Sequence, residues 1–212
     1  MRDIALSELT GTPVHIAHVS TRESVVAIRA AKARKTRVTA ETAPHYFTLT
    51  EEAVKSYDTR AKMNPPLRTA ADREAVIAAL ADGTIDVIAT DHAPHARVEK
   101  DLEFDLAANG IIGLETALPL GLRLVEAGAL SLEQLIGIMS KNPAAIIDKP
   151  CGLSAGQPAD VTIIDPEAGY TYRASQGRSK GRNTPFDGWD LKGRAVYTIV
   201  DGAIIFDLSE ET

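Results

Sequence analysis

Strand-like and helix-like segments alternate through the first 90 residues, and this predicts an α/β protein. Residues 12–19 (TPVHIAHV), 37–42 (RVTAET) and 86–90 (DVIAT) are β-rich runs, whereas 22–34 and 70–81 carry helical spacing. Strands separated by helices in this way pair in parallel through crossovers, in a doubly wound sheet or a closed barrel.

Each element has its own local reason. Residues 2–10 read as a short helix, and Gly11-Thr12-Pro13 leads into the first strand. In 22–34 (RESVVAIRAAKAR) Val25, Val26, Ile28 and Ala33 fall near one face, with Ser20 and Thr21 available as N-caps. The second strand, the helix 70–81 (AADREAVIAALA) and the third strand complete the β, α, β, α, β order. Two further helical patterns follow at 115–127 and 132–139.

After Pro150 the texture changes. Residues 160–165 (DVTIID) and 196–206 (VYTIVDGAIIF) are β-branched runs, and Asp201-Gly202 inside the second signals a hairpin. Between them, 173–183 is rich in Gly, Ser, Lys and Arg and reads as a solvated loop. A boundary near residue 150 divides the chain into 1–150 and 151–212.

Composition bounds the function. Of 212 residues, 44% are hydrophobic and 25% charged, the balance of a soluble protein with a real core. A formal net charge of −6 argues against nucleic acid, which needs clustered Lys and Arg, and leaves small molecules as the natural partners. Cys151 is the single cysteine and cannot form an internal disulfide. No run approaches the ~20 apolar residues that would span a membrane, and no charged-then-apolar leader opens the chain, so a cytoplasmic location is expected.

The chemistry gathers at strand ends. His18, His45, Asp91, His92 and His95 all lie at or just beyond the C-terminal ends of the three strands, the edge where ligands collect in parallel α/β proteins. Imidazole with carboxylate and no thiolate suits catalytic zinc or a similar divalent ion. Asp91 ends an apolar strand, where a bare carboxylate would be costly, and this favours a functional role. His18 reads equally well as a ligand or as a satisfied core histidine. His15 lies three residues before His18, so strand alternation points the two to opposite faces and gives His15 a structural role. His92 reads as a packing residue, because Asp91 takes the inward direction, and Cys151 reads as inert.

Taken together, HIAHVST (15–21), TAPHYFTLTEE (42–52), KMNPPLR (62–68), ATDHAPH (89–95) and GIIGLETALPL (110–120) resemble the dihydroorotases of the amidohydrolase superfamily. GLSAGQPADVTIID (152–165) and RNTPFDGWDLKG (182–193) continue the match in order, so the resemblance spans nearly the whole chain. It implies a (β/α)8 TIM barrel, of which this chain would carry the C-terminal part, about strands six to eight. It also implies part of a small β domain built from both chain ends.

The resemblance implies roles as well. His18 would be a metal ligand, and Asp91 both a metal ligand and the catalytic proton shuttle. Asn64, His95, Asn109 and Gly110 would hold the pyrimidine ring of dihydroorotate, with Asn109 standing where the family commonly has an aromatic residue. The cofactor would be zinc, two ions per complete site. His45 matches a family position that is not a ligand and is expected only to support the site.

The family's His-x-His, its bridging carboxylate and its fifth-strand histidine have no match in this sequence, so the chain alone is expected to be inactive. A barrel needs about 250 residues, and about 150 here are barrel-like. Uncovered sheet edges then predict a homodimer or association with an N-terminal half. Hydantoinase or allantoinase activity would use the same His18 and Asp91, but NPPLR and DHAPH favour dihydroorotase. A non-catalytic subunit that scaffolds a partner such as aspartate transcarbamoylase is the non-enzyme alternative.

Overall fold

The structure is a computed structural model and describes residues 1–210. Helix α1 (Arg2–Thr10) ends at Gly11, whose left-handed backbone turns the chain into strand β1 (Val14–Ile16). Helix α2 (Arg22–Ala33) starts at Thr21, whose side chain accepts from the Ser24 N–H, and it buries Val25, Ile28 and Ala31. Strand β2 (Val38–Thr42) and the short helix α3 (Pro44–Thr48) follow.

Helix α4 (Ala70–Ala81) opens with a reciprocal capping box between Thr69 and Asp72 and leads to strand β3 (Val87–Ile88). The three strands pair in parallel in the order β1-β2-β3. Asp86 reinforces the junction. Its Oδ2 accepts from Ala40 N–H at 2.8 Å, and both its oxygens lie 2.7 Å from Lys32 Nζ on α2.

The sequence expected longer strands. The first leaves its ladder after Ile16 because His18 takes a left-handed backbone, φ 57, which no strand continues through. The third stops at Ile88 for the same kind of reason, as Asp91 has φ 47.

A short helix α5 (Arg97–Lys100) precedes α6 (Ala117–Glu126), which buries Ala117, Pro119, Leu120, Gly121, Leu122 and Leu124. The single helix expected over 132–139 is instead α7 (Leu132–Ile136), a π-turn at Gly137–Lys141 and α8 (Asn142–Ile146). Strands β4 (Val161–Thr171), β5 (Asp190–Val200) and β6 (Ala203–Asp207) form a second, antiparallel sheet. Asp201 and Gly202 both have positive φ and close the expected hairpin. β4 runs beyond the expected 165 because a bulge between Asp165 and Gly169 accommodates Pro166, which has no N–H for the ladder.

One buried cluster joins the two halves: Tyr172, Ala174, Phe186 and Leu191 belong to the same core as Ile28, Val76 and Leu120. Among the described residues no helix is long and apolar enough to cross a membrane.

Candidate functional site

The chain leaves β1 and β3 through two unusual backbones. His18 and Asp91 both have positive φ, a region that costs most residues energy and that His and Asp tolerate better than average. The result is convergence. His18 Nε2 lies 3.8 Å from Asp91 Oδ1, and His45 Nε2 lies 4.0 Å from Asp91 Oδ2. Behind His18 stands Glu41 of β2, with Oε1 3.3 Å from His18 Nδ1.

The electrostatics follow from depth. His45 is buried, and desolvation followed by the charge of His18 pushes its pKa down to about 3, so its imidazole is neutral. Asp91 has its carboxyl pKa raised by burial and by Glu41, partly countered by His18. His18 Nδ1 and His45 Nε2 are both buried without an aligned hydrogen-bond partner. Buried polar atoms of this kind normally find a partner, and each of these has a carboxylate close by, Glu41 for His18 and Asp91 for His45.

A divalent cation fits this donor set in part. The 3.8 Å between His18 Nε2 and Asp91 Oδ1 is shorter than the roughly 4.2 Å sum of one Zn–N and one Zn–O bond. Glu41 behind Nδ1 would hold the imidazole with its Nε2 lone pair forward. Among the described residues, however, no three His, Cys, Asp or Glu side chains are grouped to hold an ion. Two donors are one short of the three protein ligands of a catalytic zinc.

The opposite-face argument for His15 fails. Strand alternation ends at Ile16, and His15 Nε2 lies 3.2 Å from Glu41 Oε2, so His15 and His18 converge on one carboxylate. His15 is further fixed by Thr39 Oγ1 at 2.8 Å from Nδ1. His92 organises the neighbouring loop, its Nδ1 accepting from Gly113 N–H at 3.0 Å.

The remaining candidates form a second group. His95 Nε2 lies 2.8 Å from the Asn109 carbonyl and must therefore carry a proton there. Gly110 donates its N–H to the Lys62 carbonyl at 3.0 Å, which brings the segment of Asn64 alongside. Asn64 and Asn109 are exposed, and Gly110 is buried at φ 120. A Cβ at Gly110 would sit 2.5 Å from the Ala93 side chain, so only glycine allows the two loops to approach so closely.

Sequence reasoning missed three residues here. Glu41 carried a faint signal, an acid inside a β-rich run one strand from His18. Lys100 is buried, with Nζ 2.7 Å from Ala108 O and 3.1 Å from Gly110 O, and burial lowers its pKa to about 8. Asn183 lies at the end of the segment read as a solvated loop, yet it is 5% exposed. That reading is corrected at this end: composition cannot see that one buried amide in a polar stretch meets three backbone groups of two other loops.

The profile of the Amidohydrolase family matches residues 4–205. The chain belongs to the amidohydrolase family. Within it, the chain is 64% identical over 210 residues to a dihydroorotase of Syntrophotalea carbinolica, covering 99% of this chain and 49% of that protein. It is 59% identical over 206 residues to a dihydroorotase of a Geobacter species, strain M21, covering 97% and 48%. The chain thus spans about half the length of the curated relatives it matches.

Among solved structures, the L-hydantoinase (dihydropyrimidinase) of Arthrobacter aurescens superposes with a TM-score of 0.92 at 32% identity, over 97% of this chain and 47% of that one. The dihydropyrimidinase of Brevibacillus agri gives 0.92 at 25%, with the same coverage. Family membership and these likenesses imply a TIM-barrel-type fold and a metal cofactor.

Proposed function

We propose that this chain carries the later strands, about six to eight, of a dihydroorotase barrel together with part of its small β domain, and that the whole protein hydrolyses the cyclic amide of dihydroorotate reversibly to N-carbamoylaspartate. The convergence of His18 and Asp91 from two strand ends carries the reading, and identities of 59–64% to dihydroorotases support it over the hydantoinase alternative, favoured by the 32% structural likeness. In this reading the site serves pyrimidine biosynthesis in the cytoplasm and holds zinc, two ions when complete.

His18 Nε2 and Asp91 would be the ligands from this chain. A divalent ion held there would lower the pKa of water to about 7 and would polarise the scissile carbonyl. Asp91 takes the proton as water attacks the ring carbonyl, and returns it to the ring nitrogen as the C–N bond breaks. Asn64, His95 and the Asn109-Gly110 backbone hold the ring against this pair. His45, neutral and buried, supports Asp91 from behind.

Two ligands do not make a catalytic site, so the remaining donors come from an N-terminal half, and the 212-residue chain alone is inactive. Joining the N-terminal half of the Syntrophotalea relative to this chain should restore zinc-dependent turnover of dihydroorotate, lost in His18→Ala and Asp91→Asn. Turnover of hydantoin without dihydroorotate would move the assignment to hydantoinase. A folded hybrid that binds aspartate transcarbamoylase but turns over neither would make it a scaffold subunit.

A further inference from the structure

One carboxamide, remote in sequence from every candidate above, holds together the two loops that carry His95 and Gly110. Asn183 Oδ1 accepts the His95 N–H at 3.0 Å, and its Nδ2 donates to Ala93 O at 2.8 Å and to Gly110 O at 3.0 Å. The orientation of the amide is fixed by these partners, because a flipped group would set its NH2 against an N–H and its oxygen against two carbonyls. Its own backbone carbonyl accepts from Ile112 N–H at 3.0 Å, so the residue is tied to the same loop twice.

The anchor is rigid. Thr184 and Phe186, just downstream, are almost fully buried, and the Gly110 carbonyl receives Lys100 Nζ at 3.1 Å as well as the Asn183 amide. The two loops touch with no slack, since any Cβ on Gly110 would collide with Ala93. At the tip, the His95 ring donates Nε2–H to Asn109 O, so the ring orientation depends on where the Asn109-Gly110 peptide stands.

We infer that Asn183 is a positioning residue: it sets the distance between the His95 loop and the Asn109-Gly110 segment and fixes the His95 ring in its Nε2–H form without touching the substrate. The inference rests on the proposed reading for its catalytic consequence, but not for its structural content. Displacements of about 1 Å between groups that orient a substrate can cost 10²-fold in rate.

Asn183→Asp is nearly isosteric. It keeps an acceptor for His95 N–H and places a carboxylate oxygen against the carbonyls of Ala93 and Gly110. In 15N-histidine spectra of the 212-residue chain, His95 should show the Nε2–H tautomer in the wild type and a mixture in Asn183→Asp, with His15 and His92 unchanged. In the joined enzyme, Asn183→Asp should lower kcat/KM for dihydroorotate about 10- to 100-fold, chiefly through KM, at unchanged zinc content.

If Asn183→Asp does not fold, Asn183→Ser is read in the same two measurements. An unchanged His95 tautomer in a folded variant overturns the inference. So does a failure of both variants to fold, which would make Asn183 a residue of stability alone. A joined wild-type enzyme without dihydroorotate turnover overturns the proposed function instead, and leaves the tautomer result to decide this one.

Discussion

His18 Nε2 and Asp91 Oδ1 lie 3.8 Å apart, although 73 residues separate them in sequence and each sits on a backbone with positive φ. Glu41 Oε1 lies 3.3 Å from the other ring nitrogen, the position from which a carboxylate can hold a ligand imidazole. Carboxylates in that position typically contribute 10- to 100-fold to metal affinity. Glu41→Gln in the joined enzyme is therefore expected to weaken zinc binding by about that factor, measured by competition with a chelator. Unchanged affinity would remove Glu41 from the account.

Acid should weaken the chain through His45. Its pKa is about 3 when folded and near 6.5 when exposed, so between those values the unfolded state binds the extra proton and folding stability falls as pH drops. Each pH unit below 6.5 costs up to about 1.4 kcal/mol from this group. Urea midpoints of wild type and His45→Gln should therefore converge as pH falls from 7 toward 4. Parallel curves would show that His45 is not held neutral.

Lys100 answers to the opposite end of the scale. Its ammonium is bonded to the carbonyls of Lys62, Ala108 and Gly110, and Lys100→Met leaves them without that donor. A loss of about 1–3 kcal/mol is expected at neutral pH. The folded pKa of about 8 lies below the ordinary 10.5, so the folded state sheds its proton first and wild-type stability rises relative to the variant as pH climbs from 8 to 10.5. Thermal unfolding of both proteins across that range tests the sign.

The capping box of α4 offers a test of local structure away from the site. Thr69 Oγ1 accepts from Asp72 N–H at 3.2 Å, Asp72 Oδ2 accepts from Thr69 N–H at 3.2 Å, and Asp72 Oδ1 accepts from the backbone N–H of Arg22 on α2 at 2.9 Å. Thr69→Ala should cost about 1 kcal/mol in denaturant unfolding. A loss under a few tenths would mean that Asp72 alone secures the helix start.

Much of this was legible in the residues. Helices 22–34 and 70–81 and the Asp-Gly hairpin carry local signals, caps and periodicity that need no tertiary context. The clustering of His18 with Asp91 was legible because both end apolar strands. What escaped were features set by long-range backbone. Alternation placed His15 away from His18, but one left-handed residue rotated the later ring onto the same carboxylate. Glu41 and Asn183 look ordinary in sequence, and only the folded chain reveals which buried groups they meet.

The left-handed backbones at residues 18 and 91 also constrain how these positions can be inherited. Side chains branched at Cβ are penalised there for steric reasons alone, whereas Gly fits without strain and Asn at a smaller cost than most residues. A gene copy released from its chemistry would thus drift at these two codons toward glycine or asparagine, and such replacements would record lost function in a fold left otherwise intact.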